Sequence, residues 1–460
     1  MKKQFLLNNN NGSPFEGWSS YKMQKKWVLH ISPDLIYETV DVLNETAIII
    51  GIPTKTIDID ESPANGLSKI KKKEEIFEVV ADWGGRWAVF FQDLILSDVG
   101  ALRGIFFDKS SAASQPALIA EPVLGEEIIS KNYYFNWCLT PGTRFNNVKK
   151  LLVHQYLLMK DGFIEPVFKQ ALPAISYSDY EYIYELLSTR LENEISYLSK
   201  KFNIIVALSG GFDSRLIYSI AKKMNGYKVN TYTHVFPSMK NSDREVPSQI
   251  NKNNRFIHPK KFDEEKLKLF DYYCGYHVKD MDRDFYSRGQ WDGFSKNDVC
   301  LRGGILELAG ISPAHLRGRI QTFVSPDIDF KSVLFSLNDF REFQIESLKE
   351  YFQFYYTNKI DVNYLKRFYL EQRVGGWLSY IESGLDLIDA NSINIGNCSK
   401  TISLMLSIPS QMMEIKGFHL DYMYKNNREV LKIPLNRSTP RDKIKYFTKK
   451  SLKLFPNKYF

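Results

Sequence analysis

The sequence predicts an α/β protein in two parts, a β-rich N-terminal domain over residues 1–175 and an α/β domain with a parallel sheet over 176–460 that becomes helical towards its end. Three observations carry this. The apolar run Ile204-Ile205-Val206-Ala207-Leu208 leads through Ser209-Gly210-Gly211 into a helical start at Phe212-Asp213-Ser214-Arg215. A helical stretch, Ile217 to Lys223, then precedes a second strand-like run from Tyr227 to Phe236. Strand, helix and strand at this spacing imply parallel pairing, with ligands at the carboxyl ends of the strands. Before them, residues from about 25 to 170 alternate between short strand patterns and turn signals.

In chain order, Asn8 to Asn11 reads as a polar loop. Trp87–Phe91 and Leu94–Leu96 flank Gln92-Asp93 as a hairpin, and Ile105–Phe107 and Tyr156–Met159 read as further strands, the latter closed by a turn at Lys160-Asp161-Gly162. Composition shifts near Pro173. Ser178-Asp179-Tyr180-Glu181 forms a capping box, and a long amphipathic helix is expected from there to about Lys201. From about residue 260 helical patterns dominate.

A chain of 460 residues with 44% hydrophobic and 25% charged content has the make-up of a globular protein with room for two or three cores. The net charge of +8 is concentrated partly at the end, where Arg441, Lys443, Lys445, Lys449, Lys450, Lys453 and Lys458 face only Asp442. Such a tail suits nucleic acid, anionic lipid or an acidic partner, but a solvated terminal helix is the preferred reading, and nucleic acid is not the expected partner. The cysteines Cys138, Cys274, Cys300 and Cys398 are scattered, which argues against a zinc site or disulfide framework and suits a reducing, cytoplasmic setting. Three apolar residues after Met1-Lys2-Lys3-Gln4 are too few for a signal peptide, and no apolar run reaches the length of a membrane span.

The chemistry concentrates at Ser209–Ser214. Two consecutive glycines let a backbone approach a ligand closely, and their amides, with the start of the following helix, suit an anion. Asp213 places a carboxylate beside that anion, an arrangement that makes sense with Mg²⁺ between carboxylate and phosphate. No lysine follows the glycines, so this is not a Walker A loop, and the Gly-x-Gly-x-x-Gly dinucleotide spacing is absent.

The string Ser209-Gly210-Gly211-Phe212-Asp213-Ser214 resembles the PP-loop of ATP pyrophosphatases. More of the chain is similar to the asparagine synthetase family: Gly84–Phe90 with Leu96-Ser97-Asp98, Gly104–Phe107, Pro141–Leu152, Ser242–Glu245, Gly304–Gly310, Gly384-Leu385-Asp386 and Leu406–Pro409. The resemblance implies an Ntn-like (α+β) glutaminase-type domain before a PP-loop synthetase domain, with ATP and Mg²⁺ as cofactors. A carboxylate, small-molecule or peptide, would be activated as its acyl-adenylate with release of pyrophosphate, and an amine would then attack. The resemblance also implies phosphate contacts from Ser209, Gly210, Gly211 and Ser214, metal ligation by Asp213 and Glu307, adenine contacts from Ala207 and His234, and a C-terminal catalytic lysine, for which Lys432 and Lys425 are candidates. No oligomeric state follows from it.

Each assignment has a plainer counterpart: His234 as a strand-end histidine, Glu307 as a helix-start acid, the lysines as surface residues, and Glu371 with Arg373 as a helix-face ion pair rather than substrate contacts. Two departures from the family pattern bear on activity. Lys2 stands where the family has its glutaminase cysteine, so glutamine hydrolysis is not expected, as in the lasso-peptide cyclases. Gly303 and Leu306 stand where the family has a glutamate and an aspartate, with Arg302 adjacent, so either the amine differs from ammonia or activity is reduced. The alternatives are a non-catalytic nucleotide-binding partner in a biosynthetic complex, a lasso-type peptide cyclase, and an RNA-modifying enzyme using the basic tail.

Overall fold

The computed structural model describes residues 2–9, 15–122, 137–170, 172, 179–225, 229–236, 239, 241–274, 281–310, 342–360, 362 and 364–433. It is a mixed α/β structure with two antiparallel sheets and one parallel sheet. In the first antiparallel sheet the order is Lys149–Lys150, Phe106–Phe107, Ser111–Ala113, Phe5–Asn8, Val28–Ile31 and Ser19–Lys22. The second runs Ile164–Phe168, Gln155–Met159, Leu94–Ser97, Trp83–Phe91, Glu45–Lys55 and Tyr37–Val42.

The expected hairpin is present, with Phe91 opposite Leu94 and Gln92 in the left-handed region at its turn. The Trp83–Phe91 strand is buried along its whole length because both its faces are covered. Successive side chains of a strand point to opposite faces. Ala88 and Phe90 therefore meet Phe5, Leu7, Leu29 and Ile31 of the first sheet, while Trp83, Trp87, Val89 and Phe91 pack with Ala64 and Leu67 of the short Pro63–Ser68 helix.

The long helix Tyr180–Ser199 crosses to the parallel sheet. Asp179 caps it by accepting from the Glu181 amide; Ser178, the expected cap, lies outside the described residues. Ile183, Leu187, Leu191, Ile195 and Leu198 recur at helical spacing and enter the core beneath the sheet. The five parallel strands lie in the order Arg255–Ile257, Asn230–His234, Asn203–Ala207, Asp298–Arg302 and Asn391–Asn394. The last two sit within the stretch that reads as helical in the sequence. They are segments of five and four residues, and Asn391–Asn394 is mostly polar, so neither carries a strong strand pattern.

A buried ion cluster joins the sheets. The Asp386 carboxylate, at 3% exposure, accepts from Arg86 Nη1 and Nη2 at 2.9 and 2.6 Å and from Arg103 Nη1 at 2.9 Å. Glu194 of the long helix accepts from Thr54, from the Gly85 amide and from the Gly396 amide. All four cysteines are buried free thiols. No helix among the described residues is long and apolar enough to cross a membrane. The basic stretch 441–460 lies outside the described residues.

Candidate active site

The central strand Asn203–Ala207 ends in the Ser209–Gly211 turn, and the Phe212–Asn225 helix begins at once. A cleft of about 530 Å³ opens there, at the carboxyl ends of the parallel strands. Ala207, Ser209, Gly211, Asp213, Ser214, His234 and Glu307 all line it. Gly210 lies within the same turn. Lys432, a candidate for the C-terminal lysine, is not among the lining residues: it is exposed on the short Glu429–Lys432 helix and pairs with Glu429 at 2.8 Å. Lys425 likewise faces outwards, over the Tyr184 ring and towards Glu181.

The turn is tightly self-bonded. The Ser209 amide donates to Ser214 Oγ at 3.1 Å, the Gly211 amide to Ser209 Oγ at 3.2 Å, and the Gly210 amide to Asp243 Oδ1 at 3.0 Å. The cradle is thus not a row of open amides as the sequence suggests. One of them already holds an anionic oxygen, supplied by Asp243. Arg215 fixes the turn from below, donating through Nη2 to the Gly210 carbonyl and through Nη1 to the carbonyls of Val430 and Ile433.

Asp213 opens onto the cleft, and His419 Nε2 donates to its Oδ1 at 2.8 Å. A carboxylate only accepts, so the ring N–H is the donor. His419 is fully buried against Phe212 and Phe418. Burial works against ionisation of Asp213, but the His419 hydrogen bond, with the charges of His419 and Lys416, holds the carboxyl below its ordinary range. Glu307 behaves oppositely: burial and the nearby Asp213 charge raise it, and Tyr369 donates its hydroxyl to Oε2.

Gly303 and Leu306 have structural reasons of their own. A Cβ on Gly303 would lie 2.9 Å from the Asp213 Cβ, so a side chain there would press on the acid. Leu306 is fully buried in the core beneath the sheet, where an acid would lack a partner. His234 sits among aromatic rings, 4.6 Å from Trp291, 4.9 Å from Phe285 and 5.0 Å from Tyr232 between centroids. Burial, with the Arg302 charge, pushes it down to about 3, so it is neutral at pH 7. Glu371 turns away from the cleft to Tyr351 and Arg367, whereas Arg373 lines it.

The sequence reading missed His419, Lys416 and the capping of Gly210 by Asp243. His419 stands more than two hundred residues from Asp213, and only the packing of the Gly417–Asn426 helix on the Phe212–Asn225 helix brings the two together. Neither a scan against known protein families nor a search of curated proteins returns a match for this chain.

Proposed function

We propose that this cleft belongs to an ATP-dependent, AMP-forming carbon–nitrogen ligase, as the asparagine-synthetase resemblance implies. The observation that carries the reading is the convergence of the Ser209–Ser214 turn, Asp213 and Glu307 on one cleft at the carboxyl end of a central parallel strand. Ser209, Gly210, Gly211 and Ser214 would contact the phosphates. The Asp243 carboxylate already on the Gly210 amide marks that group as an anion donor, and it would yield to a phosphate oxygen. The aromatic wall around His234 would take the base.

Among the described residues no group of three or more His, Cys, Asp or Glu side chains is arranged to hold a metal. Two carboxylates, Asp213 and Glu307, fit Mg²⁺, which is held through one or two carboxylates while phosphate and water supply the rest. Bound there, it would neutralise charge on the departing pyrophosphate. A substrate carboxylate oxygen would attack the α-phosphorus as the bond to pyrophosphate breaks. An amine would then attack the acyl carbon, releasing AMP and a proton. The protein's own part is positioning and electrostatics: a self-bonded turn, a carboxylate fixed by His419, and a closed aromatic wall.

The test is AMP and pyrophosphate release from ATP across a panel of carboxylates paired with amines. Amine-dependent release in the native protein, lost in a folded D213A variant, is expected. Release indifferent to D213A, or no release with any pair, would contradict the proposal; nucleotide binding without any release favours a nucleotide-binding partner without catalysis.

A further inference from the structure

Arg373 lines the cleft, and the reaction above gives it no part. It sits in a π-helical segment, Tyr369–Leu378, whose wide turns bring Tyr369, Arg373 and Trp377 near one face. Tyr369 reaches Glu307, and Arg373 and Trp377 line the cleft. The guanidinium lies 3.5 Å over the Trp377 ring and 5.6 Å from that of Trp137. It makes no hydrogen bond or ion pair within 4 Å among the described residues; it is half-buried, lines the cleft and feels the charge of the Glu307 carboxyl. Stacking occupies the faces of a guanidinium and leaves its in-plane donors available for a planar anion.

This segment is firmly seated by the N-terminal half. Gln372 exchanges two hydrogen bonds with the Thr140 backbone, at 2.9 and 3.2 Å, and the buried Lys150 donates to the Gly375 carbonyl at 2.8 Å. A Cβ on Gly376 would lie 3.0 Å from Trp137 Nε1, so a larger residue would press on that ring. Position in the sheet supplies the rest. His234 and its aromatic neighbours flank the Ser209–Ser214 turn on one side. Arg302, Gly303, Gly304 and Asn394 lie on the other, at the ends of the two strands beyond it, with Arg373 beside them. Arg302 is anchored through Nη1 to Glu382 Oε1 at 3.1 Å, and Asn394 donates to the same oxygen at 2.8 Å.

Arg302 is already paired with Glu382, so it is Arg373, with the Glu307 charge nearby, that offers an anion positive charge and in-plane donors on this wall. Cations close to an amine also favour its unprotonated, nucleophilic form. We propose that the amine partner is itself anionic, carrying a carboxylate or phosphate that docks on Arg373 over its Trp377 platform. This rests on the ligase reading for the word amine, whereas the anion receptor stands on the geometry alone.

The test uses the full chain labelled with 5-fluorotryptophan, with the Trp377 resonance assigned through W377F. β-Alanine and O-phosphoethanolamine are titrated against ethanolamine, which has no anionic group, and their relative strengths separate carboxylate from phosphate as the docked group. The expected result is a saturable Trp377 shift with one or both anionic amines, none with ethanolamine, and binding weakened about tenfold or more in R373Q with a partial effect in R373K. An equal response to ethanolamine, an unchanged response in R373Q, or no response to either anionic amine would overturn the receptor. The amine assignment is tested separately. With a carboxylate that supports ATP–pyrophosphate exchange in the native protein, R373Q should keep exchange and raise the half-saturating amine concentration. Loss of exchange would overturn the assignment to the amine. Absence of exchange in the native protein, with the Trp377 shift intact, would count against the ligase and leave the receptor standing.

Discussion

Replacing His419 by phenylalanine isolates the contact that fixes the acid of the cleft. The ring slot is retained, since His419 is packed by Phe212 and Phe418, and only the N–H donated to Asp213 Oδ1 at 2.8 Å is removed. A hydrogen bond to a charged acceptor contributes about 1.5–3 kcal/mol, and losing a partner that orients a metal-ligating carboxylate lowers metal affinity about 10- to 100-fold. The two ranges agree, because about 1.4 kcal/mol corresponds to tenfold. The assay is titration of a fluorescent ATP analogue at a series of Mg²⁺ concentrations. H419F should move the Mg²⁺ midpoint upwards by that factor while leaving Mg²⁺-free nucleotide binding nearly unchanged. H419Q, which restores an amide donor, should recover most of the loss. An unchanged midpoint in H419F, or an equal fall in Mg²⁺-free binding, would refute the positioning role.

Other consequences are simpler to state. Burial lifts the Glu194 carboxyl from 4.5 to about 7 against the opposing donors of Gly396, Thr54 and Gly85. A carboxyl raised on folding stabilises the fold fully below its unfolded value, and that contribution is lost as pH rises through 7; about 3 kcal/mol should disappear over this window. E194Q should flatten this component of the pH dependence of Tm between pH 4.5 and 8, and an unaltered slope would show that Glu194 does not titrate as its burial requires. D386N leaves two buried guanidiniums without their counter-charge and should cost about 3–5 kcal/mol, read as a lower urea midpoint. K432A, by contrast, removes only an exposed pair with Glu429, so nucleotide binding and the urea midpoint should both stay at native values.

What the sequence disclosed and what it hid follow from the range of the interactions. The central strand, its turn and the following helix were legible because apolar run, glycine pair and helical periodicity lie within twenty residues. The Trp83–Ser97 hairpin was legible for the same reason. The strands Asp298–Arg302 and Asn391–Asn394 were not, since a short strand completed by parallel partners far along the chain needs no alternating pattern of its own. At the site, Ser209, Asp213 and Ser214 belong to one local motif, and resemblance located Glu307 and His234. Lys432 was a candidate by resemblance alone, and it is exposed and paired with Glu429 rather than lining the cleft. His419 is positioned by helix packing, which leaves no mark in residue spacing, whereas the sequence marks Arg373 together with Glu371 and only the π-helical segment separates the two, Arg373 lining the cleft and Glu371 not. Lys2 is likewise explained by contact rather than motif, pairing with Asp389 at 2.6 Å where the resemblance anticipates a nucleophile.

The central claim concerns where a nucleotide's phosphates rest. A crystal structure of the protein with a non-hydrolysable ATP analogue and Mg²⁺ tests it most directly. The account predicts phosphate density against Ser209–Ser214, Asp243 displaced from the Gly210 amide, and the metal between Asp213 and the phosphates. Phosphates bound elsewhere, with the Gly210–Asp243 contact undisturbed, would contradict it.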